Sequence, residues 1–105
     1  MKVYEVIITP HAKSLLKSAF HYIERENRPA AEKWMSEISE AVQSLEIFPE
    51  RCSLALENDA FVEEIRHLLF GRNRGIYRIL FSITDDSVVV FHIQRSAMEP
   101  LQPPE

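Results

Sequence analysis

A cluster of basic side chains within residues 65–84 is the part of the sequence best suited to chemistry. This stretch holds four arginines and no acidic residue, although the whole chain has a formal net charge of −4. Its cations are Arg66, Arg72, Arg74 and Arg78, with His67 beside the first. Guanidinium groups bind carboxylates and phosphates through paired hydrogen bonds. The pattern therefore predicts a local site for an anionic partner, not a surface that coats nucleic acid nonspecifically.

Metal chemistry is not indicated by the spacing of possible ligands. His11 and His21 are ten residues apart on a predicted helix, which places them on different faces. His67 and His92 have no cysteine or acidic residue at a spacing typical of metal ligands. No glycine-rich phosphate-binding loop with its lysine and following helix is present either. We therefore predict neither a metal site nor a bound cofactor.

The first half of the chain predicts one strand and two helices. Residues 2–8 are apolar at most positions, which favours a strand. Thr9 and Pro10 form a helix start, because a threonine caps free amides and proline fits the first helical turn. Asn27 and Pro29 start the second helix in the same way, and its apolar stripe, which includes Trp34, is predicted to reach residue 48. The short connection predicts an antiparallel helical hairpin that packs through these stripes.

Three strands follow an irregular loop. Apolar runs at residues 65–70, 76–83 and 88–93 predict these strands. The only two glycines, Gly71 and Gly75, bracket the first turn, and two aspartates form the second turn. The strands form an antiparallel meander on which the helices pack. The predicted fold is α+β in the order β-α-α-β-β-β, as a single domain over residues 1–105 with a proline-rich tail at 99–105.

Composition places this domain among small soluble proteins. The chain has 105 residues, 46% of them hydrophobic, which is enough for one core. Cys52 is the only cysteine, so no internal disulfide is expected and a reducing compartment is favoured. No apolar run approaches the ~18 residues of a membrane-spanning helix, and the N-terminus has no signal-peptide pattern. A cytoplasmic location without membrane contact is expected.

Short motifs recur in a fixed order over nearly the whole chain, and together they resemble the RelE/ParE superfamily of toxins from bacterial type II toxin–antitoxin systems. The motifs, in order, are Ile8-Thr9-Pro10-His11-Ala12, Tyr22-Ile23, Pro29-Ala30-Ala31, Phe48-Pro49-Glu50-Arg51, Ile65-Arg66, Gly75-Ile76-Tyr77-Arg78-Ile79-Leu80-Phe81 and Val90-Phe91-His92-Ile93. The resemblance implies two helices on a small curved antiparallel sheet, and a cognate antitoxin that binds the toxin in a hetero-oligomer. It implies one of two targets: RelE-like members cleave mRNA on the ribosome, and ParE-like members poison DNA gyrase.

The RelE-like alternative would use Arg66, Arg78, His92 and Arg95 as a metal-independent catalytic set. Arg78 matches the strand arginine of the family. Strand alternation directs Tyr77 to the core, so Arg78 is predicted on the opposite, open face, where an alanine substitution would leave folding intact. His92 alternates along its strand with Phe91 and Ile93, so it is predicted on the opposite side from them, on the same open face as Arg78.

Departures from the RelE-like pattern favour the non-enzymatic alternative. Leu68, Gln94 and Met98 stand where cations are expected, and the tail has no tyrosine. Each lost phosphate-binding cation typically costs about 10²–10³ in rate. We therefore favour inhibition of gyrase by binding, with mRNA cleavage, or a decayed module that only binds antitoxin, as alternatives. Residues predicted to contact the target or the antitoxin are Arg72, Arg74, Tyr77 and Gln94.

Overall fold

The computed structural model describes residues 1–72 and 75–102 and has the predicted order β-α-α-β-β-β. Three short 3₁₀ turns lie in the central loop region, at Ser44–Glu46, Pro49–Arg51 and Asn58–Ala60. The main elements are β1 (Glu5–Ile8), α1 (Pro10–Glu24), α2 (Arg28–Gln43), β2 (Arg66–Arg72), β3 (Gly75–Ile83) and β4 (Ser87–Arg95). Within the described ranges, no helix is both long and apolar enough to cross a membrane.

Both helices begin at the predicted caps. The Thr9 hydroxyl accepts a hydrogen bond from the amide of Ala12 at 3.2 Å, and the Asn27 side chain accepts one from the amide of Ala30 at 3.0 Å. These side chains satisfy amides that have no partner within the helix. Local sequence is therefore sufficient to place the start of each helix.

The end of α2 differs from the prediction, which continued the helix to residue 48. The helix ends at Gln43, and Phe48 has a left-handed backbone with φ 44° and a side chain that is 63% exposed. Arg51 explains the reversal, because its Nη1 donates to the carbonyl oxygens of Ile47 at 2.7 Å and Phe48 at 3.1 Å. These bonds hold the chain in a tight turn instead of another helical turn.

The sheet has the strand order β1-β4-β3-β2. Strands β2, β3 and β4 form the predicted antiparallel meander, while β1 pairs with β4 in parallel, so the complete sheet is mixed. Gly71 and Gly75 flank the β2–β3 turn with φ values of 115° and 129°. A Cβ on Gly71 would lie 2.5 Å from the Gly75 carbonyl oxygen, which explains the need for glycine. The tip of this turn, with the predicted partner contact Arg74, lies outside the described residues.

Both faces of the sheet are covered. On the helix-facing side, α1 and α2 pack on the sheet in the main core, which includes Leu16, Ile38, Ile79 and Phe81. On the other side, which we call the loop-facing side, a smaller cluster covers the strands. It contains Ala55, Ile65 and Leu80, with Phe61, Phe91 and Leu101 against them. The central loop and the C-terminal tail thus cover the face that strand alternation alone leaves open.

Candidate functional site

Strand alternation places Arg78 opposite the helices, as predicted, but the side chain is not open to solvent. Tyr77 and Ile79 pack in the main core, whereas Leu80 belongs to the loop-facing cluster. Arg78 therefore points to the loop-facing side, where it is only 4% exposed. The prediction of an open face at Arg78 is wrong, because residues of the central loop cover it.

Arg78 forms a buried ion pair with Glu57 of the central loop. Its Nη1 donates to Glu57 Oε1 at 2.9 Å and its Nη2 donates to Oε2, while Glu57 is only 3% exposed. Leu101 of the tail donates its amide to the same carboxylate at 2.9 Å. Burial alone would raise the pKa of Glu57. The hydrogen bonds from Arg78 and Leu101 have a larger effect and lower this pKa to about 2. The carboxylate is therefore charged at neutral pH and neutralises the arginine.

Arg66 ties the central loop to β2. Its Nη1 donates to the carbonyl oxygens of Cys52 at 2.6 Å and Glu50 at 3.3 Å, and its Nη2 lies 3.0 Å from a carboxylate oxygen of Glu64. Arg66 pairs with Phe81 of the main core, so it lies on the helix-facing side. Most of its donors thus bind neighbouring backbone and an acidic side chain.

His92 and Gln94 form a hydrogen-bonded chain on the loop-facing side. A β-bulge near Leu80 and Phe81 brings His92 opposite Leu80, so His92 and Phe91 share this side, contrary to the alternation predicted. His92 Nε2 lies 3.0 Å from Gln94 Oε1. Burial lowers the pKa of His92, which favours its neutral form.

Two contacts extend this chain to other elements. Gln94 Nε2 donates to the Glu99 carbonyl at 2.9 Å, and His92 Nδ1 lies 3.3 Å from Nε2 of His11. Gln94 is only 7% exposed. The predicted partner contact at Gln94 is therefore buried inside the fold, where it orients His92. His11 was not predicted as part of this group, because 81 residues separate it from His92.

The four RelE-like catalytic candidates are not assembled into one site. Arg66 and Arg95 pair with Phe81 and Tyr77, which places them on the helix-facing side. Arg78 and His92 lie on the loop-facing side. The sheet therefore separates the set into two pairs. No group of three or more His, Cys, Asp or Glu side chains in the described ranges is arranged to hold a metal ion.

The predicted partner contacts Arg72 and Tyr77 line a groove of ≈ 940 Å³ between the helical hairpin and the β2–β3 hairpin. Trp34 forms its aromatic wall, with ring centroids 5.3 Å from Tyr77 and 6.4 Å from Phe70. Tyr22, at 59% exposure, adds a second accessible ring. The cations lining the groove are Lys33, Arg72 and Arg95, and its acids are Glu26 and Glu37. The groove thus combines aromatic side chains with charges of both signs, three basic and two acidic.

Sequence reasoning missed the parts of the site that depend on distant pairing. Glu57 lies in a polar loop, where no local pattern distinguishes a buried acid from a solvated one. The sequence places Tyr22 within a family motif and Trp34 within the apolar stripe of the second helix. The exposure of Tyr22 at the groove depends on how α1 packs in the folded protein, which the sequence around Tyr22 does not show.

Comparison with known proteins assigns this architecture to a known class. The profile of the family described as "ParE toxin of type II toxin-antitoxin system, parDE" matches residues 6–100. The solved structure of the "Chromosomal ParDE TA system from P. aeruginosa" superposes with a TM-score of 0.70 and 17% sequence identity, covering 89% of this chain and 96% of that one. Likeness at this identity shows a shared fold. No curated protein gives a significant sequence match.

Proposed function

Because the chain belongs to the ParE toxin family of type II toxin–antitoxin systems, we propose that it arrests growth by binding DNA gyrase in the cytoplasm. A cognate antitoxin would neutralise it by occupying the groove beside Trp34. In this proposal the toxin acts as a binding protein and not as a ribonuclease.

The ion pair between Arg78 and Glu57 is the observation that carries this proposal. Metal-independent RNA cleavage needs a positive charge directed at the phosphate in the transition state. Arg78 is the strand arginine that would supply this charge, but Glu57 already binds both of its terminal nitrogens. Arg66 is similarly engaged by backbone carbonyl oxygens. Arg78 and Arg66 thus stabilise the fold, and their hydrogen-bond donors are already used within it. This favours binding of a protein partner over cleavage of RNA.

The groove has the composition expected of a protein-binding site. Aromatic side chains with accessible edges are the commonest anchors at interfaces, and surrounding arginines steer an acidic partner. Trp34 and Tyr22 supply the anchors, and Lys33 and Arg72 supply positive charge. An acidic amphipathic segment of the antitoxin, with apolar residues on one face, fits this arrangement. Binding of such a segment gives the expected hetero-oligomer.

The test compares two activities of the same purified toxin. Gyrase supercoiling of relaxed plasmid is measured over a range of toxin concentrations, and cleavage of ribosome-bound mRNA is measured in parallel. The control is toxin premixed with its cognate antitoxin, which is to be sought as a short open reading frame beside the toxin gene. We expect loss of supercoiling, intact mRNA and recovery of supercoiling in the premixed sample.

Other results would contradict the proposal in distinguishable ways. Cleavage of ribosome-bound mRNA with unaffected gyrase would establish the RelE-like alternative. Absence of both activities, with tight binding of the neighbouring gene product, would identify a decayed module that retains only its antitoxin site.

A further inference from the structure

A pair of histidines outside the proposed partner groove has the geometry of a metal-binding site. We propose that His11 and His92 together bind a divalent transition-metal ion of the zinc and cobalt class. His11 lies in the first turn of α1 and is exposed, whereas His92 lies on β4 and is half-buried. The pair was hidden from sequence spacing because 81 residues separate the two positions.

The distance between the two facing nitrogens agrees with tetrahedral coordination. Nε2 of His11 and Nδ1 of His92 are 3.3 Å apart. Two nitrogens that each lie ~2.0–2.1 Å from a tetrahedral ion are separated by about 3.3–3.4 Å. The ring centroids are 5.4 Å apart but these nitrogens only 3.3 Å, so the two nitrogens lie on the facing edges of the rings. An ion at this distance from both nitrogens would lie to one side of the line that joins them.

Hydrogen bonds prepare His92 as a ligand. The Glu99 carbonyl accepts from Gln94 Nε2 at 2.9 Å, which fixes the orientation of the Gln94 amide. Gln94 Oε1 therefore faces His92 Nε2 at 3.0 Å and requires a proton on that nitrogen. In the neutral ring the lone pair then remains on Nδ1, the nitrogen directed at His11. Support of this kind, from a buried residue behind the ligand, is typical of metal-binding histidines.

The charges around the pair are compatible with a bound cation. Glu57 neutralises Arg78, the buried cation on the same side of the sheet. To bind the ion, Nε2 of His11 must direct its lone pair at it, which places the ring proton of His11 on Nδ1. Within the described residues the ion would have these two protein ligands, and water would fill the remaining positions. Because His11 is exposed, solvent reaches the ion.

A bound ion would connect the start of α1 to β4 and stabilise the folded state by mass action. The test uses tag-free protein, so that no added histidines compete, and the melting temperature is measured with and without ZnCl₂. At a zinc concentration about ten times the dissociation constant we expect a rise of at least about 5 °C. Isothermal titration calorimetry with ZnCl₂ should show binding of one ion per chain.

Three variants separate this site from adventitious binding. His11→Ala should abolish both signals, and because His11 is exposed this variant should fold; His92→Ala should also abolish them. His21→Ala is the matched control, since His21 is an exposed histidine on the same helix, and it should keep both signals. Absence of a zinc shift in the wild type, or an unchanged shift in His11→Ala, would overturn the proposal.

Discussion

The guanidinium group of Arg78 and the carboxylate of Glu57 form a bidentate ion pair in the interior of the protein, although 21 residues separate them in sequence. Both residues are less than 5% exposed, and the tail adds a third hydrogen bond through the amide of Leu101. This pair fastens β3, the central loop and the tail to one another. An arginine that resembles a catalytic residue in sequence thus has a structural position in this fold.

The ion pair predicts a large asymmetry between single and double substitutions. Arg78→Ala and Glu57→Ala should each lower the free energy of unfolding by about 3–5 kcal/mol, because each leaves an unpaired buried charge. The double variant Arg78→Leu/Glu57→Leu should lose much less than the sum of the two. Urea unfolding provides the measurement, and Arg28→Ala, at an exposed arginine, provides the control. Wild-type stability of Arg78→Ala would show that the pair is dispensable.

Histidine protonation should make the protein less stable in mildly acidic solution. Burial lowers the pKa of both His67 and His92, and the positive charge of Arg78 lowers them further. The folded state therefore binds protons less readily than the unfolded state, whose histidines titrate near 6.5. Stability should be constant above this pH and decrease as the pH falls below it. Melting temperatures from pH 8 to 5 test this, and a decrease that is equally steep in His67→Gln would remove His67 from the explanation.

A second loss of stability should occur at lower pH. The pKa of Glu57 is about 2 in the folded state, against an ordinary value of 4.5. Because the folded pKa is depressed, its contribution is complete above 4.5 and is lost as the pH falls from 4.5 towards 2. Glu57→Gln should be less stable than the wild type at pH 7, and the difference should narrow at pH 3. A constant difference between these pH values would exclude Glu57 as the titrating group.

Contacts within a few residues account for most of what the sequence predicted correctly. Thr9 and Asn27 cap amides three residues away. Gly71 adopts a positive φ, which glycine tolerates because it has no Cβ. By contrast, Arg78 depends on a loop residue and His92 on a helix residue far away in sequence. Strand alternation indicated the correct side for Arg78 but not what covers it. Whether a loop covers one face of a sheet depends on tertiary packing, and the alternation of residues along a strand gives no information about it.

The helix caps themselves provide a direct test of this local control. Thr9→Ala and Asn27→Ala should each cost about 1 kcal/mol, or roughly 4–8 °C in melting temperature, because each leaves a helical amide without its side-chain acceptor. Ser14→Ala, at an exposed position inside α1, is the matched control and should be neutral or slightly stabilising. Circular dichroism melts measure all three. An equal loss in Ser14→Ala would attribute the effect to hydroxyl removal in general.

Binding of the antitoxin should depend on the rings and charges of the groove. Tyr22→Ala should raise the dissociation constant at least about tenfold, because an accessible aromatic anchor is removed without disturbing the core. Arg72→Glu should mainly slow association, and this effect should weaken as salt is added, since charges at an interface act largely through steering.

Lys17→Glu makes the same charge change on the exposed surface of α1, away from the residues that line the groove, and serves as the control for Arg72→Glu. Surface plasmon resonance with immobilised antitoxin separates the rates of association and dissociation for each variant. If Lys17→Glu slows association as much as Arg72→Glu does, the partner responds to net charge alone. If Tyr22→Ala binds like the wild type, the antitoxin occupies another surface, and the aromatic wall formed by Trp34 is available for the target.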